Sequence, residues 1–350
     1  MTDTMTIRRP DDFHVHLRDS TMLEAVAPFT EAHFARALVM PNTRFGGIRT
    51  GEDVHRYREE IRKAAPKLEA LMTVKLLDTT TPESIREAKA AGAIAAKLYP
   101  RGVTTNSEDG VSDPLALMPV YEAMEDIGMV LCLHGETPGV FCMNREQEFL
   151  RTLEEIARRR PGLKIVLEHV TTYEACEMVR RLHPFVAATI TAHHLIHTLD
   201  DIVGDKLQPH HFCKPIPKTP ADRRQLQWLA AIGHPKFFLG TDSAPHVVGQ
   251  KECASGCAGV FSAPVALAVL AQVFEDFQIQ ELGDAPTTRG RFERFTSENG
   301  AKFYGLPLNE GTITLERKPW PVPKEYLVDE FDHVRPLCAG LMLPWQVVTS

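Results

Sequence analysis

The chain alternates along most of its length between short apolar runs and longer amphipathic stretches, and this alternation limits its fold more than any other feature. Ala37 to Met40, Leu71 to Leu77, Ala93 to Tyr99, Met129 to His134, Lys164 to His169, Phe185 to Thr191 and Phe237 to Asp242 are strand-length and nearly unbroken. A strand with one wet face would instead alternate polar and apolar residues. Helix-length segments lie between them: Thr21 to His33, Thr50 to Ala65, the stretch opened by Thr81-Pro82 and ending near Gly92, Pro114 to Ile127, Asn144 to Arg160, Thr171 to Leu182 and Pro220 to Ile232. Strands buried on both faces and separated by helices predict a parallel sheet. With the opening stretch around Phe13, eight such units in about 280 residues fit a closed (β/α)₈ TIM barrel, with its site at the C-terminal strand ends. An open doubly wound sheet is the other arrangement, but no GxGxxG follows any of these runs. We expect the barrel over residues 1–290. The Pro-rich remainder, 291–350, has no clear period beyond one short helix and is expected as a C-terminal appendage packed on the barrel, not an independent domain.

Composition narrows the function. A net charge of -7 argues against a nucleic-acid or anionic-membrane surface, because both require a basic field. Any anionic ligand must therefore meet local positive charge. The start of the chain lacks a basic end followed by an apolar run, and the longest apolar segment, near Pro264 to Phe274, is too short to span a bilayer. Seven cysteines without regular spacing fit reduced thiols, so a cytoplasmic location is expected. Cys253 and Cys257 have the spacing of half a zinc site, but no second pair follows.

Polar residues interrupt the apolar strands at equivalent places. His14 and His16 end the first unit, Lys97 the fourth, His134 the fifth, His169 the sixth and Asp242 the eighth. A barrel brings these ends to one mouth. Singly, each has an ordinary explanation as a core histidine, a snorkelling lysine or a capping aspartate. Together, four histidines and a carboxylate exceed the three protein ligands that one catalytic zinc usually takes, so two metals are the better count. In an extended strand His14 and His16 share a face, and Arg18 joins them if the strand continues, placing a cation beside the metals for an acidic substrate. Two cations need a shared anion, and on the fourth strand Lys97 stands where an acid would be required. Its ammonium would have to be neutral or modified; a neutral amine reacts with carbon dioxide to give a carbamate with two bridging oxygens. The polar, glycine-containing segment Arg101 to Ser112 reads as a surface loop of the kind that forms lids.

Several motifs bear a family likeness. DFHVHLRD around His14, PNT at 41–43, KLYP at 97–100, HGE at 134–136, EHVTT at 168–172 and GTDSAPH at 240–246 closely resemble the dihydroorotases of the amidohydrolase superfamily, in their shorter bacterial form. The resemblance extends to Gly256-Cys257-Ala258-Gly259 and Lys302 to Pro307, and so covers nearly the whole chain. It implies a hydrolase acting on a cyclic amide, in reversible ring closure of N-carbamoyl-L-aspartate to L-dihydroorotate for pyrimidine (UMP) synthesis. It also implies two Zn²⁺ ions bridged by carboxylated Lys97 and a hydroxide, one on His14, His16 and Asp242, the other on His134 and His169. By the same likeness, Arg18, Asn42 and His246 hold the substrate carboxylate, and Thr104 and Thr105 close over it on the mobile loop. His16 and His134 border the substrate, and Lys214 and Ala258 meet its ring through their backbones. Asp242 carries the proton. Lys214 departs from the pattern, since that position is commonly apolar in the family. His193 and His194 are expected to be structural. The likeness further implies a homodimer, with a small-molecule substrate as the other partner. Another cyclic-amide hydrolase, such as a hydantoinase, would share the metals without needing Arg18, Asn42 and His246. A non-catalytic, dihydroorotase-like assembly subunit should have lost ligands, whereas the set here is complete.

Overall fold

The computed structural model describes residues 4–44, 46–278, 281 and 288–348; the outer ends of both expected regions, 1–3 and 349–350, lie outside them. Its centre is an eight-stranded parallel sheet in which each strand pairs with the next in sequence. We number strands in chain order. β1 (Thr4–Arg8) lies outside the barrel; β2 (Asp11–Val15), β3 (Arg36–Val39), β4 (Glu69–Lys75), β5 (Ala93–Leu98), β6 (Val130–His134), β7 (Ile165–Glu168), β8 (Val186–Ile190) and β9 (Phe237–Leu239) form it. Each is followed by a helix, from Ser20–His33 after β2 to Ala266–Phe277 after β9. This is a (β/α)₈ TIM barrel.

Closure depends on the residues just beyond β2 and β9. Asp242 N donates to His14 O at 2.8 Å, and His16 N to Ser243 O at 3.0 Å. Lower on the same seam, buried Asp12 accepts from Thr241 N (2.8 Å) and Thr241 Oγ1 (2.6 Å). Next to it, Arg36 donates to both oxygens of buried Asp11, at 2.9 and 2.6 Å, tying β2 to β3. Charged groups so enclosed persist only when paired and hydrogen-bonded.

The apolar runs fill two spaces. One large cluster packs the outer faces of the strands against the helices. A second fills the lower barrel with Phe13, Leu38, Met40, Leu71, Val130, Val166 and Phe238. The helix Asn299–Tyr304 closes the floor: Tyr304 stacks on Phe13 with ring centres 4.8 Å apart, and Phe238 meets Phe13 edge-on at 5.3 Å. Gly300 allows this approach, because a Cβ there would sit 2.3 Å from the Phe13 ring.

Local signals were accurate where chemistry fixes the backbone. Thr50 with Asp53, Thr81 with Ser84 and Thr219 with Asp222 form capping boxes at helix starts, and Thr172 caps the helix after β7. The predicted helix from Pro114 begins as a 3-10 turn, Pro114–Leu117, before the α-helix Met118–Asp126; Pro119 enters at that helix's first turn. The opening strand ends at Val15 instead of continuing through Arg18, which takes a left-handed conformation (φ 62°). In 291–350 the chain forms, besides short helices, several short strands. Thr312–Glu316 pairs antiparallel with β1 and with Gln346–Val348, drawing the start of the chain against its end.

Gly300→Ala is expected to destabilise the protein by about 1–3 kcal/mol, the usual range for overpacking a filled core, read as a lower thermal midpoint. An unchanged midpoint would show that the floor can yield.

Candidate functional site

The C-terminal strand ends gather the expected residues around one cavity. His14 Nε2 lies 3.3 Å from His16 Nε2 and 3.4 Å from Asp242 Oδ1, and His16 Nε2 lies 3.1 Å from the same oxygen. Ligand atoms of these three residues all fall within 4.8 Å of one another. The other nitrogen of His14, Nδ1, is 2.9 Å from Glu168 Oε2. A proton on Nδ1 satisfies that carboxylate and turns the Nε2 lone pair toward His16 and Asp242. Converging lone pairs with few protons to share make a donor set for a cation. Gly240 gives the seam room, since a Cβ there would lie 2.8 Å from His14 Cβ and 2.9 Å from Thr189.

The second group is His134, His169 and Lys97. The His169 ring centre is 4.8 Å from that of His134 and 5.0 Å from that of His14. His134 Nε2 is 2.8 Å from Glu136 Oε2. His169 Nδ1 and Lys97 Nζ are buried with no hydrogen-bond partner. Strand alternation would send Glu168 and His169 to opposite faces. A left-handed turn at His169 (φ 42°) brings its ring back to the cavity, and Asp242 turns similarly (φ 45°). Thr189 holds both neighbours: His169 N donates to its Oγ1 at 2.7 Å, and Oγ1 donates to Glu168 at 2.6 Å.

Burial shapes the charge. It lowers the basicity of His14, His16, His134 and His169, and for His14 and His169 the charge of Lys97 is the next cause. Burial also drives the Lys97 amine below its ordinary value, favouring its uncharged form. For Asp242 burial acts upward, but the His16 hydrogen bond and the nearby imidazoles outweigh it and hold the carboxyl at about 2. Burial thus disfavours the charged form of each nitrogen around the Asp242 carboxylate, an arrangement suited to a Lewis-acidic metal.

Beside these donors is a cavity lined in part by Arg18, Asn42, Thr104, Thr105, Lys214 and Ala258. His16, Tyr99, His134, His169 and Asp242 also line it, so four of the expected metal donors share one space with the expected substrate residues other than His246; His14 and Lys97 are not part of its lining. Arg18 reaches it from its left-handed turn. Its Nε donates to Pro245 O at 2.9 Å, and its Nη2 donates at 2.9 Å to Nε2 of His246, kept neutral by burial and by Arg18. His246 stands behind Arg18 and lines an adjoining cavity. Asn42 joins the Arg101 to Ser112 loop, with Nδ2 donating to Thr105 O at 3.2 Å and its own carbonyl accepting from Asn106 at 3.1 Å. Lys75 holds that loop from below through Asn106 O (2.8 Å) and Asp109 (2.5 Å).

Ligand atoms of His193, His194 and Cys213 also lie within 4.8 Å of one another. Both His194 nitrogens, however, have partners, Thr191 Oγ1 and Pro215 O, each at 2.9 Å. The residues that sequence reading left without a role are Glu168, Thr189, Glu136 and Tyr99. Glu168 was detectable as the one acid in the buried strand Ile165–Glu168. Thr189 carried no comparable signal.

Residues 11–331 match the model of the amidohydrolase family. A dihydroorotase of Sphingopyxis alaskensis is 46% identical over 99% of this chain and 100% of its own length. The crystal structure of dihydroorotase from Campylobacter jejuni, 40% identical, superposes with a TM-score of 0.89 over 99% of this chain and 98% of that one. Dihydroorotase from Saccharomyces cerevisiae, solved in complex with 5-fluoroorotic acid, is 34% identical with a TM-score of 0.90 over 98% of each chain.

Proposed function

The chain belongs to the amidohydrolase family, within its dihydroorotases, and we propose that it interconverts N-carbamoyl-L-aspartate and L-dihydroorotate in pyrimidine synthesis at a two-zinc site. It is a hydrolase acting on a cyclic amide. The observation that carries the substrate reading is Arg18, whose fixed cation lines the same small cavity as His16, His134, His169 and Asp242. A cyclic amide bearing a carboxylate matches the charge and donors of that lining, and the yeast relative holds 5-fluoroorotic acid, a pyrimidine carboxylate.

The donor set fits the metals. In this reading His14, His16 and Asp242 would hold one ion, His134 and His169 the other, and carboxylated Lys97 would bridge them. The unpartnered Nζ of Lys97 and Nδ1 of His169 support this assignment, as does the burial that lowers the basicity of the amine. When bound, the ions would supply Lewis acidity to the amide carbonyl and lower the pKa of water.

The remaining work falls to the chain's own groups. Arg18, with Asn42 and with His246 behind it, orients the carboxylate. The backbones at Lys214 and Ala258 fix the ring, while Thr104 and Thr105 close the cavity against solvent. Asp242 is a carboxylate at neutral pH, so in hydrolysis it takes a proton from attacking water and returns it to the leaving ring nitrogen. Synthesis reverses these transfers. We further propose residues 1–290 as the catalytic unit, 291–350 as its appendage, and a homodimer in the cytoplasm. All seven cysteines are free, which fits a reducing compartment. Among the described residues no helix is long and apolar enough to cross a membrane.

Metal-loaded protein is expected to turn over dihydroorotate but not an uncharged hydantoin. Arg18→Met should raise KM for dihydroorotate by at least about 10-fold, since a charge-assisted hydrogen bond contributes about 1.5–3 kcal/mol. Equal turnover of the neutral ring, or an unchanged KM, would favour a hydantoinase-like activity.

Ring closure of the dianion to a monoanion takes up one proton. Hydrolysis should therefore rise with pH and synthesis fall, in near mirror image. Asp242→Asn is expected to lower both rates by about 10²- to 10⁴-fold, with metal content measured in the same sample. A fully metallated Asp242→Asn protein with parental rates would assign the proton to another group.

A further inference from the structure

Lys251 is 3% exposed, yet among the described residues no acidic group pairs with it. An ammonium enclosed in protein without a counter-ion is costly unless each of its protons is taken. Here three carbonyls take them: Phe212 O at 2.9 Å, Cys257 O at 2.8 Å and Gly259 O at 2.8 Å. These acceptors come from two separate segments, which are also joined by Gly259 N donating to Phe212 O at 2.9 Å. A neutral side chain of similar size could not supply three donors to both segments at once.

The two segments border the cavity through Lys214, two residues after Phe212, and through Ala258, between the other two acceptors. Among the described residues, no protein acceptor takes the N–H of Lys214 or Ala258. The carbonyl of Cys257 and the N–H of Ala258 belong to one peptide unit. A cation on that carbonyl draws electron density from the amide and makes its N–H a stronger donor toward the cavity.

We propose that Lys251 is a positioning residue for the substrate ring, holding the backbones at Lys214 and Ala258 in place and polarising the Ala258 amide. The inference rests on the reading of this cavity as the dihydroorotate site. Lys251 touches no reacting atom and acts only through the peptide groups it binds. Its contribution should therefore appear in ligands that carry the ring and be smaller in ligands that carry only carboxylates, which Arg18 and Asn42 would hold.

Lys251→Met keeps an aliphatic chain and removes the three donors. With metal content matched to the parent, KM for dihydroorotate is expected to rise about 10-fold, the equivalent of one or two weakened hydrogen bonds, with kcat changed far less. Inhibition by succinate, which has carboxylates but no ring amide, should weaken clearly less than binding of dihydroorotate, because Lys251 reaches Arg18 only indirectly, through the 3.1 Å approach of His246 Nε2 to Ala258 O. Equal weakening of both ligands would mean general damage, and no weakening of either would mean no role; each overturns the proposal. If the Met variant does not accumulate as folded protein, Lys251→Gln, which retains two donor hydrogens, is read by the same pair of constants. Turnover of dihydroorotate by the parent is measured first. A parent inactive on it removes the reading of the cavity, whereas an active parent with an unaffected variant overturns the Lys251 proposal alone.

Discussion

Barrel closure between β2 and β9 is the constraint on which the site depends. The hydrogen bonds from Asp242 N to His14 O and from His16 N to Ser243 O place two histidines from the start of the chain against a carboxylate more than two hundred residues later. Buried Asp12, bonded to both the backbone and the hydroxyl of Thr241, secures the same seam from below. The proposed metal donors on this seam thus inherit their spacing from backbone bonds that the fold requires anyway. Sites carried on strand ends in this way are held more firmly than sites built from loops alone.

Above the apolar floor, the Glu168–Thr189 pair connects the two halves of the donor set. Its carboxylate sets the tautomer of His14, and its hydroxyl accepts from the backbone of His169. The left-handed residues Arg18, His169 and Asp242 all lie just past the strand ends. Non-glycine residues in that conformation cost energy, and they persist where surrounding structure fixes them. Here the turn lets adjacent positions in sequence point into one cavity, which a regular strand forbids.

The barrel was legible because its strands are buried on both faces and amphipathic helix-length segments separate them, one marked by the Thr81 cap, all of which are local properties of sequence. The site was partly legible for the same reason: His14, Lys97, His134, His169 and Asp242 interrupt apolar runs at equivalent positions. What the sequence concealed depends on long-range geometry. The strand was expected to carry Arg18 onto the face of His14 and His16, yet a turn brings Arg18 to the cavity. Thr189 looks like any β-branched strand residue until its hydroxyl is found between Glu168 and His169. The pairing of β1 with Thr312–Glu316 joins the two ends of the chain and has no local signature.

Lys97 stands at the centre of the account. It is fully buried, its amine has no hydrogen-bond partner, and burial favours the uncharged form. A carbamate at this position would provide the bridging anion that two cations require. The most direct measurement is ¹³C NMR of zinc-loaded protein equilibrated with ¹³C-bicarbonate, compared with Lys97→Ala treated identically. A single slowly exchanging carbamate resonance is expected, absent from the variant. A fully active, zinc-loaded parent without that resonance would contradict the proposed carbamate bridge.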